Sequence, residues 1–265
     1  MLYQAKNGRV NAMDYVRFGN GNRTLIMLPG LGDGLQTVKG TAIPMALTYR
    51  SLAKEFTVYL FSRKDPIPEG QSTRDMARDL KEAMDFLDIG KADIVGVSMG
   101  GMIAQWLAID HPEKVNGLVL AVTAPCPNEN LTSSIAQWVQ YAKQGDHTAL
   151  MDSNVQKIYS DTYYRKNKWL IPIMGKLTRP KSYDRFLIQA QACGSHDALA
   201  RLPEITAPTL ILAGAMDRII GSEAPRLLAE RIPDARLKIY PQWGHGLYEE
   251  EKDFLPTVMA FLQTE

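Results

Sequence analysis

Five residues, Gly96-Val97-Ser98-Met99-Gly100, constrain this chain more than any other stretch, because they sit between an apolar run at 94–97 and an apolar-periodic segment at 102–109. A strand that passes directly into a helix must fold back on itself, and side chains two residues either side of the bend would strike the neighbouring strand and helix. Glycine at 96 and 100 removes that conflict. The serine between them is lifted to the head of a helix, where free amides favour negative charge. The spacing predicts a strand, a sharp turn and a helix, with the Ser98 hydroxyl exposed as a candidate nucleophile.

The same alternation runs through the first half of the chain. β-rich runs at 14–18, 24–28, 57–61, 94–97 and 118–122 are separated by helical spacing at 45–56, 72–87 and 99–109, the rhythm of βαβ units. Ser72, with Asp75 three residues on, forms an acidic variant of the capping box. The runs around Ile94 and Leu118 are apolar on both alternating faces, as central parallel strands covered by helices must be. The pattern resumes at 209–213 and 236–240, each run followed by a helical segment, so the sheet draws on both ends of the chain.

Between these halves the strand signal vanishes. Residues 125–203 read as several helices rich in aromatic residues, among them Trp138, Tyr141, Tyr159, Tyr163, Tyr164 and Trp169. A segment this long cannot be a structureless loop in a compact domain, so it is expected as a helical cap over an edge or end of the sheet. The predicted organisation is an α/β core from 1–124 and 204–265, with the insertion at 125–203.

Composition narrows the partners. At 265 residues the chain suits one large domain carrying an insertion, and a formal net charge of +1 gives no electrostatic reason to expect nucleic acid or an acidic surface. The first residues lack an apolar core and no run reaches the length of a membrane span. The expectation is a cytoplasmic protein acting on a small molecule, without a nucleic-acid or membrane partner, and compatible with a homo-oligomer. Cys126 and Cys193 lie far apart without metal-ligand spacing, so they are expected as packed thiols, and no metal or cofactor is expected.

A serine hydroxyl needs a base to take its proton and an acid to orient that base. Of four histidines, His111 lies at a helix end, and His147 and His196 lie in the insertion, where surface or packing roles are expected. His245 differs, standing in Trp243-Gly244-His245-Gly246 shortly after the last β-rich run, where flanking glycines permit close backbone approach. The acid should lie beyond the carboxyl end of another strand, and Asp217 follows the run at 210–214 by a short turn. Oxyanion donors are expected from the backbone amides of Leu31, in the Gly30-Leu31-Gly32-Asp33-Gly34 loop, and of Met99.

At this point the sequence resembles the α/β-hydrolase superfamily over nearly its whole length. The resemblance rests on Leu28-Pro29-Gly30-Leu31-Gly32, Met76-Ala77-Arg78-Asp79-Leu80, the pentapeptide at 96–100, His111-Pro112-Glu113-Lys114-Val115, Ala207-Pro208-Thr209-Leu210, the stretch at 214–217, and Gly244-His245. It implies an eight-stranded, mainly parallel sheet with the helical cap inserted after the sixth strand, and the order Ser98, Asp217, His245 is that fold's order of nucleophile, acid and base. Two departures stand out. The usual His-Gly of the oxyanion loop is Pro29-Gly30, and the usual Asp-x-Arg-Gly after the fourth strand is Ser62-Arg63-Lys64-Asp65.

The reading that follows is a serine hydrolase cleaving a carboxylic ester or lactone through an acyl-enzyme on Ser98. Carbon–carbon bond hydrolases and cofactor-free perhydrolases look alike at these motifs, and a non-catalytic small-molecule receptor is the alternative of another class. Between 165 and 185 stand Arg165, Lys166, Lys168, Lys176, Arg179, Lys181 and Arg185 against Asp184 alone. Such a run is expected as a solvated face; cations turned inward would instead favour a substrate bearing a carboxylate. The aromatic and methionine residues of the insertion, Met151 and Met174 included, are expected mainly as packing.

Overall fold

The computed structural model describes residues 2–264. Eight strands, β1 (Lys6–Val10), β2 (Met13–Phe18), β3 (Arg23–Leu28), β4 (Phe56–Lys64), β5 (Ala92–Val97), β6 (Val115–Ala121), β7 (Thr209–Gly214) and β8 (Ala235–Tyr240), form one sheet in the order β1-β2-β4-β3-β5-β6-β7-β8. The pairs β1–β2 and β2–β4 are antiparallel, and every pairing from β4 to β8 is parallel. This is the α/β-hydrolase fold expected from the sequence.

The helices cover both faces because the central strands are apolar on both. Leu25 and Met27 of β3 face one core with α1 (Ala42–Thr48), α2 (Leu52–Glu55) and the C-terminal helix, while Ile26 and Leu28 face the other with α3 (Thr73–Phe86) and α4 (Met99–Asp110). α3 starts where its sequence says it should. The Ser72 side chain accepts from the Asp75 amide and the Asp75 carboxylate accepts from the Ser72 amide, a reciprocal cap of the kind that stabilises a helix by about 1 kcal/mol.

Between β6 and β7 the chain forms α5 (Glu129–Gln144), α6 (His147–Ile158), α7 (Asp161–Asn167), α8 (Ile171–Leu177) and α9 (Asp184–Gly194). After β7 come α10 (Ala224–Arg231), β8, α11 (Leu247–Glu250) and α12 (Phe254–Thr264). Two local expectations need correction. The helix expected at 45–56 is broken into α1 and α2 around Tyr49, and β1 carries no legible strand pattern because only Val10 at its end is buried.

Candidate active site

β5 ends at Val97 and α4 begins at Met99, leaving Ser98 alone in the bend with φ 54° and ψ −121°. That is a costly conformation for a residue with a Cβ, and it persists because the surroundings over-determine it. A Cβ on Gly100 would lie 2.0 Å from the Leu28 carbonyl oxygen, and one on Gly96 would lie 2.6 Å from the Gly100 carbonyl oxygen. The Ser98 amide donates to Ala121 O at 2.9 Å and its carbonyl accepts from Thr123 Oγ1 at 2.7 Å. Thr123, which the motif pattern did not single out, thus clamps the elbow from the end of the neighbouring strand.

The loops after β7 and β8 bring the other two residues to Ser98. They meet at Gly214, where a Cβ would lie 2.3 Å from the Trp243 carbonyl oxygen, so only glycine allows the loops to close. Asp217 Oδ2 lies 2.8 Å from His245 Nδ1, and His245 Nε2 lies 3.0 Å from Ser98 Oγ. Asp217 Oδ1 accepts from the Ile219 and Ile220 amides at 2.8 and 3.0 Å. The turn role and the orienting role therefore coincide in one carboxylate, each oxygen serving one of them. Because a carboxylate only accepts, His245 Nδ1 carries the proton, which leaves Nε2 as the acceptor for the serine hydroxyl.

The oxyanion loop runs beside the elbow: a Cβ on Gly30 would stand 3.4 Å from Ser98 Cβ. The Met99 amide precedes the first bond of α4, which Gly101 makes to the Ser98 carbonyl at 2.8 Å. Leu31 likewise heads a short 3₁₀ turn, Leu31–Gly34. Among the described residues neither the Leu31 nor the Met99 amide donates to a protein acceptor.

A buried ionic cluster that sequence reasoning missed holds this loop. Asp33, at the foot of the loop, faces Arg63 of β4, whose Nη1 is 3.6 Å away and whose amide donates to Asp33 Oδ2 at 3.2 Å. Arg63 also donates to the Pro29 carbonyl. Burial pulls the Arg63 pKa down, and Asp33 opposes that shift by stabilising the cation. From α9, Arg185 donates to the Asp33 carboxylate and carbonyl and to the carbonyls of Arg63 and Lys64. The departure at Ser62-Arg63-Lys64-Asp65 is thereby explained: Ser62 Oγ accepts from the Val38 amide, Arg63 braces the oxyanion loop and Lys64 pairs with Asp79.

Ser98 and His245 open onto a cavity of about 580 Å³. Its floor is the oxyanion loop and the strand ends, and its roof is Trp138 of α5, Met151, Val155 and Ile158 of α6, the following Tyr159, and Phe186 of α9. Met151 is thus a lining residue, whereas Met174 is exposed on α8. Among the described lining residues there is no lysine or arginine, and the carboxylates are Asp33, engaged by Arg63 and Arg185, and Glu249, which accepts from Tyr159 Oη at 2.6 Å. The expectation of a cation turned toward substrate is corrected: only Arg185 turns inward, and Asp33 holds it, while the other six basic residues of the run are exposed.

The remaining histidines do not join the site. His111 caps the C-terminus of α4, and His147 bonds Thr178 Oγ1 at 3.2 Å. His196 is buried, with Nδ1 2.9 Å from Thr73 Oγ1 and Nε2 3.3 Å from Gln105 Oε1. Both insertion histidines are buried packing residues rather than surface ones. Cys126 and Cys193 are free thiols, and burial pushes the Cys193 pKa up to about 12, which keeps it protonated and unreactive.

Known proteins share this fold. The family model described as "alpha/beta hydrolase fold" matches residues 23–252. A poly(3-hydroxyalkanoate) depolymerase of Ectopseudomonas oleovorans is 31% identical over 72% of this chain and 67% of its own. A 2-hydroxy-6-oxononadienedioate/2-hydroxy-6-oxononatrienedioate hydrolase of a Pseudomonas species is 26% identical over 97% of this chain and 92% of its own. Among solved structures, the enol-lactonase of Burkholderia xenovorans LB400 superposes with a TM-score of 0.81 at 22% identity, covering 97% of this chain and 100% of that one. This chain is an enzyme of the α/β-hydrolase fold family.

Proposed function

We propose that this enzyme hydrolyses a neutral, mainly apolar carboxylic ester or lactone, with Ser98 as nucleophile, His245 as base and Asp217 as the residue that orients the base. The observation that carries the reading is the unbroken chain of hydrogen bonds from Asp217 through His245 to Ser98 at the floor of a cavity whose described lining has no lysine or arginine. Ser98 Oγ attacks the carbonyl carbon while Nε2 takes its proton, and the amides of Leu31 and Met99 receive the oxyanion. The imidazolium, held by Asp217, passes that proton to the leaving alkoxide. Water then attacks the acyl-enzyme with His245 again as base, which frees the acid and restores the serine.

The lining favours ester over carbon–carbon bond cleavage of the kind named for the 26%-identical relative. That name denotes a dicarboxylate, and a dianion in a largely apolar cavity without a cation would lose its hydration with nothing in return. The polyester named for the 31%-identical relative is, by contrast, neutral and apolar along its chain. A cytoplasmic location belongs to the same reading, supported by two cysteines that stay unpaired; secretion of the native protein out of the cell would contradict it.

The test is Ser98→Ala assayed on activated neutral esters, with a fluorophosphonate as covalent probe. A loss of at least about 10⁴-fold in kcat, together with loss of labelling, is expected. Undiminished turnover by the variant, or faster turnover of a dicarboxylate than of neutral esters by the native enzyme, overturns the proposal.

A further inference from the structure

The basic run of the insertion is the one sequence feature that the catalytic site does not absorb. Its six outward cations, Arg165, Lys166, Lys168, Lys176, Arg179 and Lys181, are all exposed, and the chain carries no acidic residue between Asp161 and Asp184. The acid at the first boundary is already paired, since Arg218 Nη2 lies 2.8 Å from Asp161 Oδ1. Lys168 lines a cleft with Asp146 and Asp152, and Arg179 and Lys181 follow α8, so the exposed cations that α7 and α8 themselves carry are Arg165, Lys166 and Lys176.

The same face is apolar. Trp169, Ile173 and Leu177 recur at intervals of four along the helical stretch formed by α7, a linking 3₁₀ turn (Lys168–Leu170) and α8, which aligns them in one stripe. They are 66%, 51% and 75% exposed. Ile171 and Gly175 face the other way and are buried, with Gly175 close against Thr148 of α6. Isolated exposed apolar residues are ordinary on a protein surface, but an aligned stripe flanked by cations is the pattern of a helix that lies in a lipid headgroup layer.

We propose that the outer face of α7 and α8 docks on an anionic lipid bilayer. The stripe would enter the acyl boundary, and the cations would meet headgroup phosphates. A second copy of this chain is the poorer occupant, because a two-fold contact places the same patch on both sides and sets cation against cation. A nucleic acid would satisfy the cations and leave Ile173 and Leu177 in water. Attachment is peripheral, since among the described residues no helix is long and apolar enough to cross a membrane. The face adjoins the cavity wall: the Tyr163 ring stacks 4.2 Å from Tyr159, which lines the cavity beside Ile158.

Docking is argued from this surface alone and does not depend on the reaction proposed above. The test is co-sedimentation of the full chain with phosphatidylcholine vesicles, with and without phosphatidylglycerol, alongside size-exclusion chromatography. Sedimentation with the anionic vesicles is expected, at least about tenfold stronger than with phosphatidylcholine alone and weakened by salt. The double variant Trp169→Ser/Leu177→Ser and the triple variant Arg165→Gln/Lys166→Gln/Lys176→Gln should each bind at least about tenfold more weakly. Neither should change thermal melting or turnover of a soluble ester. Failure of the native chain to bind anionic vesicles, equal binding to neutral ones, or unchanged binding by both variants overturns the proposal. So does a native dimer that Trp169→Ser/Leu177→Ser splits, which would assign the face to self-association.

Discussion

The bend that carries Ser98 and the helices that roof it are built on opposite terms. At the bend the backbone itself leaves no room: Gly96 and Gly100 have main-chain atoms within 2.6 Å of where a side chain would begin. In the insertion the constraint is side-chain chemistry, and it differs from helix to helix. α9 sends Arg185 into a buried cluster with Asp33 and Arg63, whereas α7 and α8 leave Arg165, Lys166, Lys176 and an apolar stripe exposed. The bend is thus fixed by main-chain sterics, while the cover adds to its other contacts an ionic bolt from Arg185 to Asp33.

Substitutions at each place measure how far that contrast extends. Gly100→Ala should have the largest effect on folding, about 3 kcal/mol or more by chemical denaturation, because the Leu28 carbonyl is main chain and cannot move aside. A stable, active Gly100→Ala variant would mean that the elbow tolerates relaxation. Arg185→Ala should destabilise by roughly 2–3 kcal/mol, less than the loss of a whole buried pair since Arg63 still faces Asp33. Activity should fall with it as the oxyanion loop loosens. Lys176→Ala, from the same basic run, should stay within about 0.5 kcal/mol of the native protein, and equal effects at 176 and 185 would erase the distinction between bolt and surface.

Near neutral pH the smallest expected effect is that of His196, and it grows with acid. Burial pushes the His196 pKa from 6.5 down to about 3 in the folded protein. The unfolded chain then binds the proton first, so stability is whole above about pH 6.5 and declines as pH falls from there toward 3. His196 sits between Thr73 of α3 and Gln105 of α4, so acid should loosen the return of the insertion to the core. Denaturation midpoints measured across that window should fall for the native protein and fall less for His196→Gln; parallel curves would show that another group governs acid sensitivity.

How much of this was legible follows from the range of each interaction. The elbow, the Ser72 cap and the runs at 94–97 and 118–122 announce themselves because their causes lie within a few residues, in backbone sterics or in burial on both faces. Asp217 and His245 are legible as loop residues at strand ends, once the parallel sheet is expected. β1 is not, because pairing with β2 rather than its own apolar pattern makes Lys6–Val10 a strand. Nor is the helix break near Tyr49. That residue lines the cavity instead of continuing the helix, and burial there pushes its pKa up to about 12.

The basic run shows the boundary most sharply. From the sequence, Arg185 is one of seven equivalent cations; in the structure it alone meets Asp33, a residue 152 positions away. By itself the sequence determined the α/β class, the serine at the bend, and the chain order of Ser98, Asp217 and His245 at strand ends, since periodicity and glycine placement act locally. Only the tertiary structure decided which cation turns inward, that the described cavity lining is left without one, and that an apolar stripe and its charges share one outer face. Those are contacts between distant segments, and their energies depend on burial, which no local pattern specifies.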